Sequence, residues 1–242
     1  MKLYQSTKVP MIALLVLVYG LAGGCAELSQ VLESSGGGNS ATSPTLFARA
    51  IKESLELGST RSADLLSKTG GYNTHPLYRI QLPQQVQPIA SRLRQFGLGG
   101  QVDRIETLMN QGAEQAAVEA KAVFVDAVRN MTVTDAIGIV RGNETAATDY
   151  FRTHTEAALR DRYAPIMRRN LEQVGFYRQY QQLLTAYKQL PLPNKPDLDL
   201  EQHALTQSLD ALFKQVGEEE KLIRSDPIGR GSSVIAAVFG TK

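Results

Sequence analysis

Carboxylates able to work in pairs are the first chemistry to look for. One long helical segment carries Glu106, Glu114 and Glu119. Two such groups facing each other across a cleft would suit glycan cleavage, one as the acid and the other as base or nucleophile. Acidic residues more commonly solvate an exposed helix face, and that is the expectation here. The histidines His75, His154 and His203 are far apart in sequence. A di-iron bundle site needs glutamate three places before histidine on each of two helices, and Phe151 and Leu200 occupy those places. His-Glu-x-x-His spacing is absent as well, so no metal site or other cofactor is expected. His203 with Asp199 reads as a capping contact at a helix start. No Gly-x-Ser-x-Gly elbow stands in the sequence. An enzyme is therefore the less favoured reading, and an envelope hydrolase is its concrete form.

A second group of residues suits binding better than catalysis. Tyr78 and Arg79 lie in a proline-punctuated segment, residues 73–83, which is expected to run extended over the helices and to expose both side chains between buried Ile80 and Leu82. It forms either one wall of a cleft or a structural strap whose arginine pairs with a helix-end carbonyl, the strap being favoured. Phe176, Tyr180, Leu184 and Tyr187 recur at helical spacing and read as core. If a ligand cleft exists, Tyr78, Arg79, Tyr180 and Tyr187 are its candidate lining, with tyrosine hydroxyls orienting a small apolar molecule. Arginines 152, 160, 162, 168, 169 and 178 crowd one region. They could touch acidic headgroups or an anionic polymer, but ordinary surface arginine is the favoured reading. Glu218, Glu219 and Glu220, ahead of Arg224, read as a solvated face with one i, i+4 pair.

The residue with the most specific chemistry is Cys25, the one cysteine in the chain. Before it come Lys2 and Lys8, an apolar run from Val9 to Ala22, and the small residues Gly23 and Gly24. That order of basic, apolar and small regions describes a secretory signal over residues 1–24. The run is shorter than the roughly 20 residues of a spanning helix. Leu21-Ala22-Gly23-Gly24-Cys25 resembles a bacterial lipobox, whose cysteine thiol is acylated and whose chain is cut just before it. Ala22 stands where that pattern prefers leucine, and an ordinary cleaved signal peptide is the alternative. Ala26, rather than aspartate, follows the cysteine and points to the outer membrane under the sorting rule attached to the motif.

The chain has 26 basic and 24 acidic residues. Loss of Lys2 and Lys8 with the signal leaves 24 of each, so electrostatic capture of nucleic acid is not implied. With no thiol beyond Cys25, stability must come from burial. Residues 25–44 hold the cysteine and a glycine- and serine-rich linker that would span roughly 25 Å as a random coil.

The elements that must position these residues begin near Thr45, with Ser43 as cap and Pro44 in the first turn. A helix to Gly70-Gly71, a short one from Gln84 to Phe96 ending at Gly97, and a long one from Gly100 to Asn130 are predicted from apolar spacing. Thr132 or Thr134 caps a short helix that Gly142 ends. Asn143 opens another to Tyr163, Pro165 starts one to Val174, and Gly175 separates that from Phe176 to Leu190. After a break at Pro191 to Pro196, Asp199 caps a helix through Arg224. A terminal helix spans Ser232 to Phe239. Nothing alternates with period two, so the fold expected for residues 45–242 is all-α, one bundle of eight or nine helices.

Leu66-Ser67-Lys68 with Gly70-Gly71, Arg79-Ile80, Leu82-Pro83, Met109-Asn110 and Glu114 to Ala117 together resemble the bacterial family known as domain of unknown function 4197. The likeness continues through Thr148 to Phe151, Val174-Gly175, Leu209 to Phe213 and Val238 to Gly240. Gly112 departs from it where the family usually has alanine, as does Ala211 where it usually has glycine. The resemblance implies an exported helical envelope protein and supplies no activity. The expected function is a periplasm-facing lipoprotein, attached to the membrane through Cys25 and serving as a non-enzymatic binding or scaffolding module. Its expected partner is an envelope protein, with a small apolar ligand as the alternative and a soluble periplasmic form as the alternative location.

Overall fold

A proline at a helix start, glycines at helix ends and apolar residues three and four apart dictate most of what the computed structural model contains. It describes residues 44–189, 199–226 and 229. Cys25, the signal and linker segments, Ser43, the Pro191 to Pro196 break and the predicted helix Ser232 to Phe239 lie outside them. The α-helices are α1 (Pro44–Leu66), α2 (Gln87–Gln95), α3 (Gly99–Ala116), α4 (Ala120–Asn130), α5 (Val133–Arg141), α6 (Ala146–Gln173), α7 (Phe176–Gln189) and α8 (Leu200–Ser225). Single 3-10 turns, Gln84–Val86 and Ala117–Glu119, precede α2 and α4. No strand occurs among the described residues, and the fold is all-α.

Helices α3, α6 and α8 pack on one another, α1 packs on α4, α5 and α8, and α2 and α7 both lie on α3. Phe124 of α4 meets Phe151 of α6 edge-on at 5.1 Å and Phe213 of α8 at 6.0 Å. All three rings are buried. They tie three helices at one point, each ring adding aromatic contact to roughly 2–3 kcal/mol of apolar burial.

Gly70, Gly97 and Gly175 have φ of 84°, 80° and 76°, the left-handed conformation that closes a helix and favours glycine. All three sit at predicted stops. At Gly97 the closure is a full Schellman motif: Leu98 N donates to Leu93 O at 2.9 Å and Gly97 N to Arg94 O at 3.1 Å.

Two boundaries differ from expectation. The single helix predicted from Gly100 to Asn130 is interrupted at Ala117–Glu119. A 3-10 turn aligns residues three apart, and it buries Ala117 and Ala120 together. Conversely, Pro165 starts no helix but lies inside α6. It is exposed, so water can replace the hydrogen bond it forgoes, while Tyr163 and Met167 on either side are buried and hold the helix through it.

Candidate functional site

Three buried polar residues, two of them carboxylates, stand on one stripe of α3. Glu106, Asn110 and Glu114 are four apart, so they rise along the same face, and their exposures are 5%, 0% and 6%. Burying carboxylates is costly unless they are hydrogen-bonded, and the segment between α1 and α2 supplies the partners. Glu114 Oε1 accepts three backbone N–H groups, from Gly70 at 3.1 Å, Tyr72 at 3.2 Å and Asn73 at 3.1 Å. Asn110 Oδ1 accepts from Ile80 N at 2.8 Å, and its Nδ2 donates to Ile80 O at 2.8 Å. Glu106 accepts from Leu82 N at 3.2 Å on Oε1 and from Arg79 Nη2 at 3.1 Å on Oε2.

This ladder explains why residues 70–83 avoid helix yet stay ordered. Turns over residues 70–78 satisfy part of the backbone, with Thr74 N on Gly70 O at 3.1 Å and Arg79 N on His75 O at 3.0 Å, and residues 79–83 run extended. The α3 side chains take amides that these turns leave over, at three levels. Further fastenings hold the other side. The Tyr72 hydroxyl donates to Ser208 O of α8 at 3.0 Å, and the Tyr78 hydroxyl donates to Gln215 Oε1. His203 Nε2 bonds Gln81 O at 2.7 Å. Burial pushes the Tyr72 hydroxyl well above the ordinary phenol value, and the neighbouring Glu114 charge adds to it. Tyr78 is raised by burial first and by the Glu218 and Glu219 charges after it.

Several expectations are corrected. Tyr78 is not exposed beside Arg79: it is 4% exposed, with the His75 ring stacked on it at 4.1 Å. Arg79 is exposed, but it pairs with the Glu106 carboxylate and not with a helix-end carbonyl. Glu106 and Glu114 do not solvate a helix face. Glu119 alone of the three is exposed. His203 binds the strap, while Asp199 caps α8 by accepting from Gln202 N at 2.9 Å.

The Glu218 to Glu220 run is likewise not a solvated face. Glu219 and Glu220 are each 8% exposed. Glu220 accepts from Ala147 N at 3.1 Å, and from Thr148 N at 2.9 Å and Thr148 Oγ1 at 2.7 Å, capping the start of α6 from another helix. Arg224 pairs with it at 2.7 Å, the predicted i, i+4 partner in a buried setting.

The crowded arginines are largely paired. Arg152 reaches Asp210 at 2.7 Å, Arg160 reaches Glu156 at 3.3 Å, and Arg168 reaches Glu201 at 2.8 Å. In the aromatic stripe, Phe176 is buried and Tyr180 is half-buried, stacked on Phe176 at 5.6 Å. The side chains of Leu184 and Tyr187 lie outside the described residues. The apolar void between α1 and α8, which Ile51, Leu55, Val216 and Ile223 help to line, is about 20 Å³, room for roughly one water. Neither Tyr78 nor Tyr180 lines it. Among the described residues no group of three or more His, Cys, Asp or Glu could hold a metal ion, and no helix is long and apolar enough to cross a membrane.

Sequence reasoning passed over Asn110, Gln215 and Glu220 as functional groups of the fold. The i, i+4, i+8 spacing of Glu106, Asn110 and Glu114 was the available signal.

The family described as "Protein of unknown function (DUF4197)" matches residues 41–240. No curated protein and no solved structure matches the chain.

Proposed function

The chain belongs to this family of unknown function, and from that premise we propose that it is an exported envelope lipoprotein whose helical domain is a non-enzymatic binding or scaffolding module. The observation that carries the non-enzymatic part is the state of the buried carboxylates. A hydrolytic pair needs two carboxyl groups open to a substrate between them. Glu106, Glu114 and Glu220 instead spend their oxygens on the chain's own amides, on Thr148 and on Arg79 and Arg224. The anchoring part rests on the signal-like order of residues 1–24 and on Cys25 at its end. Ala26 favours the periplasmic face of the outer membrane.

Fractionation of envelopes from cells making the full chain or its Cys25→Ser variant tests the anchor, together with labelling by an alkyne fatty acid. The wild type should be labelled and sediment with membranes. The serine variant should be unlabelled and leave the membrane fraction. Equal membrane recovery of both, with no label on either, would contradict the lipid anchor.

A further inference from the structure

Of the arginines at residues 152–178, Arg152, Arg160, Arg162 and Arg168 are paired with acids. The acids themselves are unevenly spread. From Leu65 to Val102 the chain has no aspartate or glutamate at all, while Lys68, Arg79, Arg92 and Arg94 fall within that stretch. Helix α7 is also free of acids and carries Arg178 and Lys188. Both α2, from the first stretch, and α7 pack on α3. The stretch that holds α2 is thus cationic in a chain whose total charge is only +2.

The turn joining α2 to α3 adds an apolar feature. Phe96 is 68% exposed, more than any other large hydrophobic side chain described. Its exposure follows from a saturated backbone: the Schellman hydrogen bonds at Gly97 fix the turn and leave Phe96 on the outside. A Cβ placed at Gly97 or Gly100 would meet no atom within 4 Å, so the tip is sterically open. Arg92 lies one helical turn before Phe96, and Arg104 stands in the second turn of α3. Both are exposed and without an ion-pair partner among the described residues. The acids nearest in sequence, Asp103 and Glu106, are taken by Arg94 at 2.9 Å and Arg79 at 3.1 Å. The uncompensated charge at the tip is therefore positive.

We propose that the α2–α3 tip is a docking surface for an anionic lipid bilayer, with Phe96 entering the headgroup region and Arg92 and Arg104 contacting phosphates. An exposed aromatic ring with cationic side chains around it matches the interface of an anionic membrane, where rings sit at headgroup level and basic residues gain from the negative surface potential. The proposal concerns the orientation of the domain at a membrane. It does not depend on how residues 1–43 are attached.

The chain has no tryptophan, so Phe96→Trp in the full chain places a single reporter at the tip. Val118→Trp is the control: it is also exposed, on the turn after α3, about 27 Å along that helix from its start. On phosphatidylglycerol vesicles the Phe96→Trp indole should shift to the blue and be quenched by brominated acyl chains, while the Val118→Trp indole responds to neither. Adding Arg92→Glu and Arg104→Glu to Phe96→Trp should raise the lipid concentration for half-maximal shift at least tenfold, each lost arginine being worth about fivefold. Unchanged helicity by circular dichroism shows that these variants fold. An unshifted Phe96→Trp indole, an equal response at position 118, or the same response on phosphatidylcholine vesicles would overturn the proposal. Failure of the anchor appears separately, as absence of the fatty-acid label from the wild-type chain.

Discussion

The Glu114 carboxylate lies 3.2 Å from the backbone nitrogen of Tyr72, and the same oxygen also accepts the amides of Gly70 and Asn73. One side chain of α3 thus closes the turn that ends α1. Replacing it by alanine leaves three N–H groups without their acceptor. Glu114→Ala should therefore lose about 3–5 kcal/mol in urea unfolding, while Glu114→Gln, which keeps an acceptor oxygen, should lose about 1–2 kcal/mol. Equal and small losses for both would show that the turn does not need the ladder.

Two glycines should respond in opposite directions. A Cβ on Gly71 would stand 2.6 Å from the backbone oxygens of both Leu65 and Leu66, and neither can move without opening the end of α1. Gly138 lies within α5, is exposed, and has open space at its Cβ position. Gly71→Ala should cost about 2 kcal/mol or more, and Gly138→Ala should gain about 0.5–1 kcal/mol through helix propensity. Thermal melts of the two variants check both signs.

Much of this was legible in the sequence, for reasons that differ between residues. Gly70, Gly97 and Gly175 mark stops because a left-handed residue is a local requirement. Of the two threonines that spacing offers as cap, Thr132 is the one used, in a capping box built within four residues. The ladder escaped because the partners of Glu106, Asn110 and Glu114 lie 24 to 44 residues away, and a buried carboxylate looks in sequence like a solvating one. Tyr78 was misplaced for the same reason: its acceptor, Gln215, is 137 residues on. Pro165 was read by its local rule, which the buried neighbours Tyr163 and Met167 override. Gly112, where the family resemblance would place alanine, faces Leu171 and Met167 of α6 at distances a Cβ would crowd. That is close helix approach, which spacing alone does not reveal.

Asp135 gives a pH dependence with a definite sign. Thr132 Oγ1 donates to its Oδ2 at 2.6 Å and Thr132 N at 3.0 Å. These bonds, the side-chain one first, hold the carboxyl below its ordinary value of 3.8. A group lowered on folding adds stability above its unfolded value and loses it as pH falls through the folded one. Asp135→Asn should therefore cost about 1 kcal/mol or less near neutrality, and the difference from wild type should fade as pH falls below the ordinary carboxylate value. Denaturant midpoints measured for both proteins across this range test it. A difference independent of pH would assign the cost to something other than the charged cap.

The buried acids of α3 serve as fasteners for the strap. Amide hydrogen exchange of the wild-type chain tests it at the strap itself, where the amides of Tyr72, Ile80 and Leu82 donate to Glu114, Asn110 and Glu106. These three should exchange as slowly as amides in the core of α3. Exchange at the rate of amides with no hydrogen-bond acceptor would contradict it, because the carboxylates would then be free of the backbone and open to other chemistry.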